Sequence, residues 1–428
     1  MTTVSTGSDE RADVGTEPTK ERVGPMRIAV VSAFFSDGMG YTENCLPRAL
    51  AKLGHDVHVV TSVFNVYGNT ADYERTYQDF LGPRRNPVGT TLVDGVQVHR
   101  LDAHLLGGYV KLEGLSRTIR DLRPDIVHSL EIASLETFEL AALRPRANFE
   151  LFCETHQHMS VVRPYLKDAH GHLLRKAIYR LTRTLPTFLA SLAVNTCYAI
   201  APDCVEVATR FYGVPLSKVK MQSLGADTDL FRPCELTEDV AARQRLRARL
   251  GFENDDVVCV YSGRFSEEKN PLLLARAIDR LADARPRLRG LFIGQGVQQE
   301  RIAACRNVVI VPFMQHRELA EHYRAADIAV WPTQESMSML DAAACGLPLV
   351  VSDTVGEMDR VTGNGLVYRE NDVASMADKL TSLTDASKRR AMGAVGRSKM
   401  VAGYSWIRSA KLVEADYIAA LTSRKSRK

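Results

Sequence analysis

The chain has 428 residues, and 45% hydrophobic with 25% charged side chains is the balance of an ordinary globular protein. That excludes a mostly disordered chain, a collagen-like fibre and a small disulfide-stapled scaffold, and the length sets two or three domains at ~100–200 residues each. A net charge of +4 is too mild to argue for nucleic acid. No stretch approaches the ~18 apolar residues that span a bilayer. Residues 1–25 lack an apolar core segment, so they read as a disordered leader and not a signal peptide.

In chain order, RIAVVSAFF from Arg27 is a strand, bounded by the turn residues Ser36, Asp37, Gly38 and Gly40. A helical pattern runs from Glu43 to Leu53, Gly54 stops it, and DVHVVTS is a second strand. That βαβ opening implies a parallel sheet. TTLVDGVQVHRL, with Asp94-Gly95 between two alternating runs, is a hairpin. DIVHSL and FELFCET are buried strands. Residues 167–191 read as a long basic helix broken or kinked at Pro186, and CYAIAP and KVKMQSL close this half.

A second set of units opens near Asp255: VVCVYSG, a loop, the helix PLLLARAIDRLADA, and the strands RGLFIG, NVVIVPF, DIAVWP and PLVVSD. The seam lies at 231–253, with Arg232-Pro233-Cys234 as the linker. Tyr404 to Leu421 is an amphipathic helix, and a basic tail follows. The expected division is a leader at 1–25, an N-terminal domain at 26–234, a C-terminal domain at 235–403, and a segment at 404–428 whose helix packs back on the N-terminal domain. Two doubly wound domains create a cleft between the carboxyl ends of their strands, where ligands bind in open α/β sheets.

Four groups of residues fall just after strands. Gly38 and Gly40 form a turn ahead of a helix, where backbone N–H groups can approach an anion; a plain tight turn is the other reading, because Glu43 replaces the last glycine of G-x-G-x-x-G. Arg264 and Lys269, in GRFSEEKNP, offer two cations to a diphosphate, or else are solvated charges paired with Glu267 or Glu268. In WPTQESMSMLDAAACG, Glu335 and Asp341 can accept hydrogen bonds from sugar hydroxyls, although Glu335 could simply stabilise a helix dipole. His156 and His158, in ETHQHM, could bind a metal, but no further Cys or carboxylate is suitably spaced nearby, so His156 reads as a hydrogen-bonding cleft residue or a packed one. The eight cysteines form no C-x-x-C pair or zinc spacing and read as reduced thiols of a cytosolic protein.

With GHDVHVVTS, PDIVHS, GADTDLFRP, IGQGVQQERI and ESMSMLDAAACGLPLVVSD, these motifs make the chain resemble a retaining GT-B glycosyltransferase of family four from Met26 to Leu421. The resemblance implies two Rossmann-like domains facing across a cleft. It also implies transfer of a hexosyl unit from a UDP- or GDP-sugar to an acceptor hydroxyl, in polysaccharide, glycolipid or glycosylated-metabolite synthesis, with no metal or other cofactor. Arg264 and Lys269 match the pair that neutralises the donor diphosphate. Glu335, followed by Ser336, matches the first acid of the family's paired-acid motif. Asp341 stands for the second acid, which contacts the ribose, although the spacing is shorter and the family residue is Glu. His156 matches the histidine near the sugar, Gly38 and Gly40 the loop beside the phosphates, and Gly294 and Gly296 the turn lining the nucleotide pocket. A GT-B nucleotide-sugar epimerase and a non-catalytic sugar-binding protein of the same fold remain alternatives. The helix with Arg175, Lys176, Arg180 and Arg183 reads as an ordinary domain helix with a solvated basic face. The alternative is a helix resting on the cytoplasmic face of an anionic membrane and serving a lipid-linked acceptor.

Overall fold

In a computed structural model, which describes residues 24–159, 162, 177–333 and 336–426, the chain forms two α/β domains. The N-terminal strands are β1 (Arg27–Ser32), β2 (Asp56–Ser62), β3 (Gly89–Val93), β4 (Val96–Leu101), β5 (Ala103–Leu106), β6 (Tyr109–Leu112), β7 (Ile126–Ser129), β8 (Glu150–Thr155), β9 (Cys197–Ala199) and β10 (Val219–Met221). The C-terminal ones are β11 (Val257–Ser262), β12 (Leu288–Ile293), β13 (Val308–Val311), β14 (Ile328–Trp331), β15 (Leu349–Ser352) and β16 (Gly365–Tyr368). The first sheet runs β10-β9-β8-β7-β1-β2-β4-β3 and the second β13-β12-β11-β14-β15-β16. All neighbours are parallel except the β3–β4 hairpin, whose turn puts Asp94 at φ 50° and Gly95 at φ 82°. The strand order reverses between β1 and β7 and between β11 and β14, the two places where crevices open above a parallel sheet.

Alternation along β1 sets the two faces of the first sheet. Ile28 and Val30 face Leu46 and Leu50 of the first helix, Thr42–Lys52, together with Trp406, Val413 and Tyr417. Ala29 and Val31 face Leu115, Ile119 and Leu140. The last helix, Trp406–Lys425, therefore lies on the N-terminal domain although it follows the C-terminal one. Ser405, just before this helix, bridges Ala226 in the segment leading out of the first domain, with Ala226 N donating to Tyr404 O at 2.8 Å and Trp406 N to Ala226 O at 3.1 Å.

Within the seam at 231–253, after Arg232-Pro233-Cys234, the chain forms a helix, Thr237–Arg249. Few apolar residues hold it. Buried Arg247 donates to Ala325 O at 3.1 Å and Glu253 O at 3.0 Å, and Arg243 to Ala326 O at 2.9 Å and Asp327 at 2.8 Å. Of the long basic helix expected at 167–191, residues 167–176, with Arg175 and Lys176, lie outside the described residues. From Arg180 to Thr184 the helix widens into a π turn, and Leu185–Ala193 is α-helical with Pro186 in its first turn. Pro186 has no N–H, and the carbonyl of Thr182 instead accepts from Tyr109 Oη at 3.2 Å. Ile178, Leu181, Leu185, Leu189 and Leu192 recur at helical spacing and are all exposed, beside the exposed hairpin tip Leu105–Leu106. No helix among the described residues is long and apolar enough to cross a membrane. All eight cysteines are free, six of them buried.

Candidate active site

The segments after β1, β2, β11, β13 and β14 converge on a cleft of about 390 Å³ between the domains. Gly38, Gly40, Arg264, Lys269, Ser336 and Asp341 line it. Gly294 and Gly296 sit behind its wall: a Cβ on Gly294 would stand 2.0 Å from Gly263 O, and one on Gly296 would stand 2.8 Å from Phe265 O. With Phe265 N donating to Gln295 O at 2.9 Å, these glycines let the β12 turn press on the loop that presents Arg264. Glu335 lies outside the described residues.

The cations are not spent on their neighbours. Glu267 takes Arg301 at 2.8 Å and Gln298 at 2.9 Å. Among the described residues neither Arg264 nor Lys269 has an ion pair; Arg264 lies beside the Tyr77 hydroxyl. Burial, and then the like charge of Arg264, push the Lys269 ammonium below its ordinary pKa. An anion in the cleft would relieve both penalties.

Asp341 is buried and its Oδ2 lies 3.1 Å from His316 Nε2. Burial raises its carboxyl above the ordinary range, partly offset by His316. The backbone N–H of His316 donates to Gly38 O at 2.8 Å, and a Cβ on Gly40 would meet His316 Nε2 at 2.3 Å. The glycine loop of one domain is thus seated on the first turn of the helix His316–Ala325 of the other. Gln295 to Thr76 O at 2.6 Å and Arg317 to Asp94 at 2.9 Å add to the same closure.

His156 does not line this cleft. Its Nε2 meets Glu154 at 2.7 Å, and its backbone N–H donates to Glu131 Oε2 at 3.3 Å. Burial opposes charge on the ring, but Glu154, Glu131 and Glu43 together raise its pKa. Burial would raise Glu154 too, yet His128 and His156 hold it down to about 2. Glu43, in the first turn of the helix behind the glycine loop, is pushed up to about 7 by burial.

A wall of aromatics escapes sequence patterns. Tyr41 and Tyr67 share a hydrogen bond of 2.6 Å, and Tyr67 stacks on Tyr77 with ring centroids 4.5 Å apart. Phe80 meets Phe313 across the cleft at 5.9 Å. Tyr67, Tyr77 and Phe80 come from the irregular segment between β2 and β3, where no periodicity marks them; only their density signals a surface. Sequence spacing also offers no further ligand to the paired histidines, yet the fold supplies two, since Asp203 and Cys204 lie against His158.

Two family models match the chain: the glycosyl transferase 4-like domain over residues 38–225 and the glycosyl transferases group 1 over 256–386. The D-inositol 3-phosphate glycosyltransferase of Xylanimonas cellulosilytica is 30% identical over 249 residues, which are 55% of this chain and 59% of that protein. A GDP-mannose-dependent monoacylated alpha-(1-6)-phosphatidylinositol monomannoside mannosyltransferase of Corynebacterium glutamicum is 29% identical over 42% of this chain and 51% of its own. The chain thus spans little more than half the length of these curated relatives. In fold it is similar to sucrose-phosphate synthase from Thermosynechococcus elongatus, with TM-score 0.63 and 20% identity over 93% of this chain and all of that one. Anabaena HepE in complex with UDP gives 0.65 and 14% over 92% and 100%. With a matched domain on each side of the cleft, the chain belongs to the group 1 glycosyltransferases, of GT-B architecture.

Proposed function

We propose that the protein transfers a hexosyl unit from a nucleoside diphosphate sugar, a UDP- or GDP-sugar, to an acceptor hydroxyl with retention of configuration. The observation that carries this reading is the pair Arg264 and Lys269, facing a closed cleft with no carboxylate partner among the described residues. As the bond from anomeric carbon to diphosphate oxygen breaks, negative charge grows on the leaving diphosphate, and two fixed cations stabilise that charge more than the ground state. The leaving phosphate takes the acceptor proton on the face from which it departs, so no second carboxylate is required as nucleophile. Domain closure excludes water from the sugar. Because the diphosphate already has two side-chain cations, the reading needs no divalent ion there, and donor turnover should persist in a chelator.

A screen of nucleotide sugars against acceptor hydroxyls, with mass detection and anomeric assignment of the product, tests the reading. Product with inverted configuration would overturn retention. Isomerised donor without acceptor would indicate the epimerase, and no donor turnover at all the sugar-binding protein.

For the acceptor, the exposed stripe from Ile178 to Leu192, flanked by Arg180 and Arg183, favours a lipid-linked molecule presented at the cytoplasmic face of an anionic membrane. Sedimentation with phosphatidylglycerol vesicles, lost in Leu185→Ser/Leu189→Ser and absent with phosphatidylcholine, supports that placement. Equal recovery with and without vesicles removes it.

A further inference from the structure

β8 and β9 are parallel neighbours, with Cys153 beside Cys197 and Thr155 beside Ala199. The segments beyond their carboxyl ends therefore leave the sheet side by side. The loop after β8 carries His158, and the short helix Pro202–Glu206 after β9 carries Asp203 and Cys204. His158 Nδ1 lies 3.1 Å from each carboxylate oxygen of Asp203 and 3.9 Å from Cys204 Sγ. None of the three lines the cleft that holds Arg264 and Lys269.

We propose that His158, Asp203 and Cys204 form a binding site for a zinc-class cation on the N-terminal domain. A hydrogen bond explains only part of the arrangement. Nδ1 carries at most one proton, yet it faces two carboxylate oxygens and a sulfur, all bearing lone pairs. An ion among them accepts a pair from each. With metal bonds of about 2.0–2.1 Å to nitrogen or oxygen and 2.3 Å to sulfur, tetrahedral ligands stand about 3.3–3.6 Å apart, and the observed 3.1 and 3.9 Å bracket that spacing.

One nitrogen, one oxygen and one sulfur is a set that favours zinc over magnesium or calcium, which prefer oxygen alone. The Met159 N–H donates to Asp203 Oδ2 at 3.0 Å, the kind of outer bond that aims a ligating carboxylate. Cys204 is buried, while His158 and Asp203 are partly open to solvent, which leaves an entry path and a fourth position for water. On binding, Cys204 releases its thiol proton to solvent and His158 binds through Nδ1 with its proton on Nε2. The ion then ties the loop that bears His156 to the helix Pro202–Glu206 after the neighbouring strand.

The full chain, stripped with a chelator and dialysed, is titrated with Zn²⁺ in a calorimeter and with Co²⁺ in a spectrophotometer. The expected result is about one ion per chain and a thiolate-to-cobalt charge-transfer band. Cys204→Ser should abolish the band. His158→Gln and Asp203→Asn should each weaken zinc binding by about tenfold or more. Unchanged affinity for the free nucleoside diphosphates UDP and GDP shows that each variant is folded. A wild-type chain without the band, or variants that bind zinc as the wild type does, overturns the site.

Discussion

His316 Nε2 stands 3.1 Å from Asp341 Oδ2, so the helix after β13 and the helix after β14 are pinned together beneath the cleft. The carboxylate is buried, and the partner it has is a side chain. Truncating either residue leaves the other's polar group short of a bond, at about 1–3 kcal/mol. A double-mutant cycle of His316→Ala and Asp341→Ala in urea should therefore give a coupling of about 1–3 kcal/mol. Additive losses would mean that the pair does not hold the helices.

Arg264→Ala and Lys269→Ala should each lower turnover by about 10²-fold or more, as removal of a fixed charge partner of the transition state does. Nucleoside diphosphate affinity should fall as well, because the same cations meet the ground-state phosphates. Turnover within a few-fold of wild type in both variants, with circular dichroism unchanged, rejects the assignment.

Glu335→Gln separates the two readings of this acid. A carboxylate that holds donor hydroxyls in a closed site contributes ~1–3 kcal/mol, so transfer should drop while calorimetry finds nucleoside diphosphate binding intact. A mere helix-dipole partner would cost about 0.3–1 kcal/mol of stability and spare transfer.

Buried groups raised by burial or by acids, Glu43, Glu136 and His156, make stability fall as pH rises, against the opposite pull of His99 and His322, which burial lowers. Glu43 is held near 7 and His156 above its ordinary value, so the folded state binds both protons more tightly than the unfolded chain. The Glu43 contribution is complete below its unfolded value of about 4.5 and is lost as pH rises to about 7. That of His156 is complete below about 6.5 and is lost as pH climbs through its raised folded value. Glu154, held at about 2, works the other way and loses its contribution only in acid. Urea midpoints should decline from about pH 5 to about pH 8, and Glu43→Gln should flatten the lower part of that decline. A wild-type midpoint that is level or rising across the range contradicts these shifts.

The doubly wound architecture was legible because apolar β-branched runs such as DVHVVTS end where their turn residues stand; β2 is that very segment. Legibility ends where stability does not come from an apolar stripe. The helix Thr237–Arg249 shows no apolar stripe in the sequence because arginines bonded to carbonyls anchor it. β16 offers only Leu366 and Val367 between Gly365 and Tyr368, a weaker apolar run than the β-branched segments of the other four-residue strands. The same division holds in the cleft. Arg264, Lys269 and Asp341 follow recognisable strands, whereas Tyr67 and Tyr77 sit in an irregular insertion. His316 has meaning only through Gly38, Gly40 and Asp341, which the fold brings to it. Asp203 and Cys204 reach His158 because β8 and β9 are adjacent, a neighbourhood that no local spacing encodes.

The crossing at Ala226 and Ser405 changes what kind of joint the molecule has. A single connecting strand would let one domain swing and spin freely. Two crossing segments joined by a bridge are held to each other: turning one against the other strains the bonds between Ala226, Tyr404 and Trp406. In this closed arrangement the Gly38–Gly40 loop is bonded to His316, so the bridged joint and the cleft contact together fix the alignment of the two half-sites.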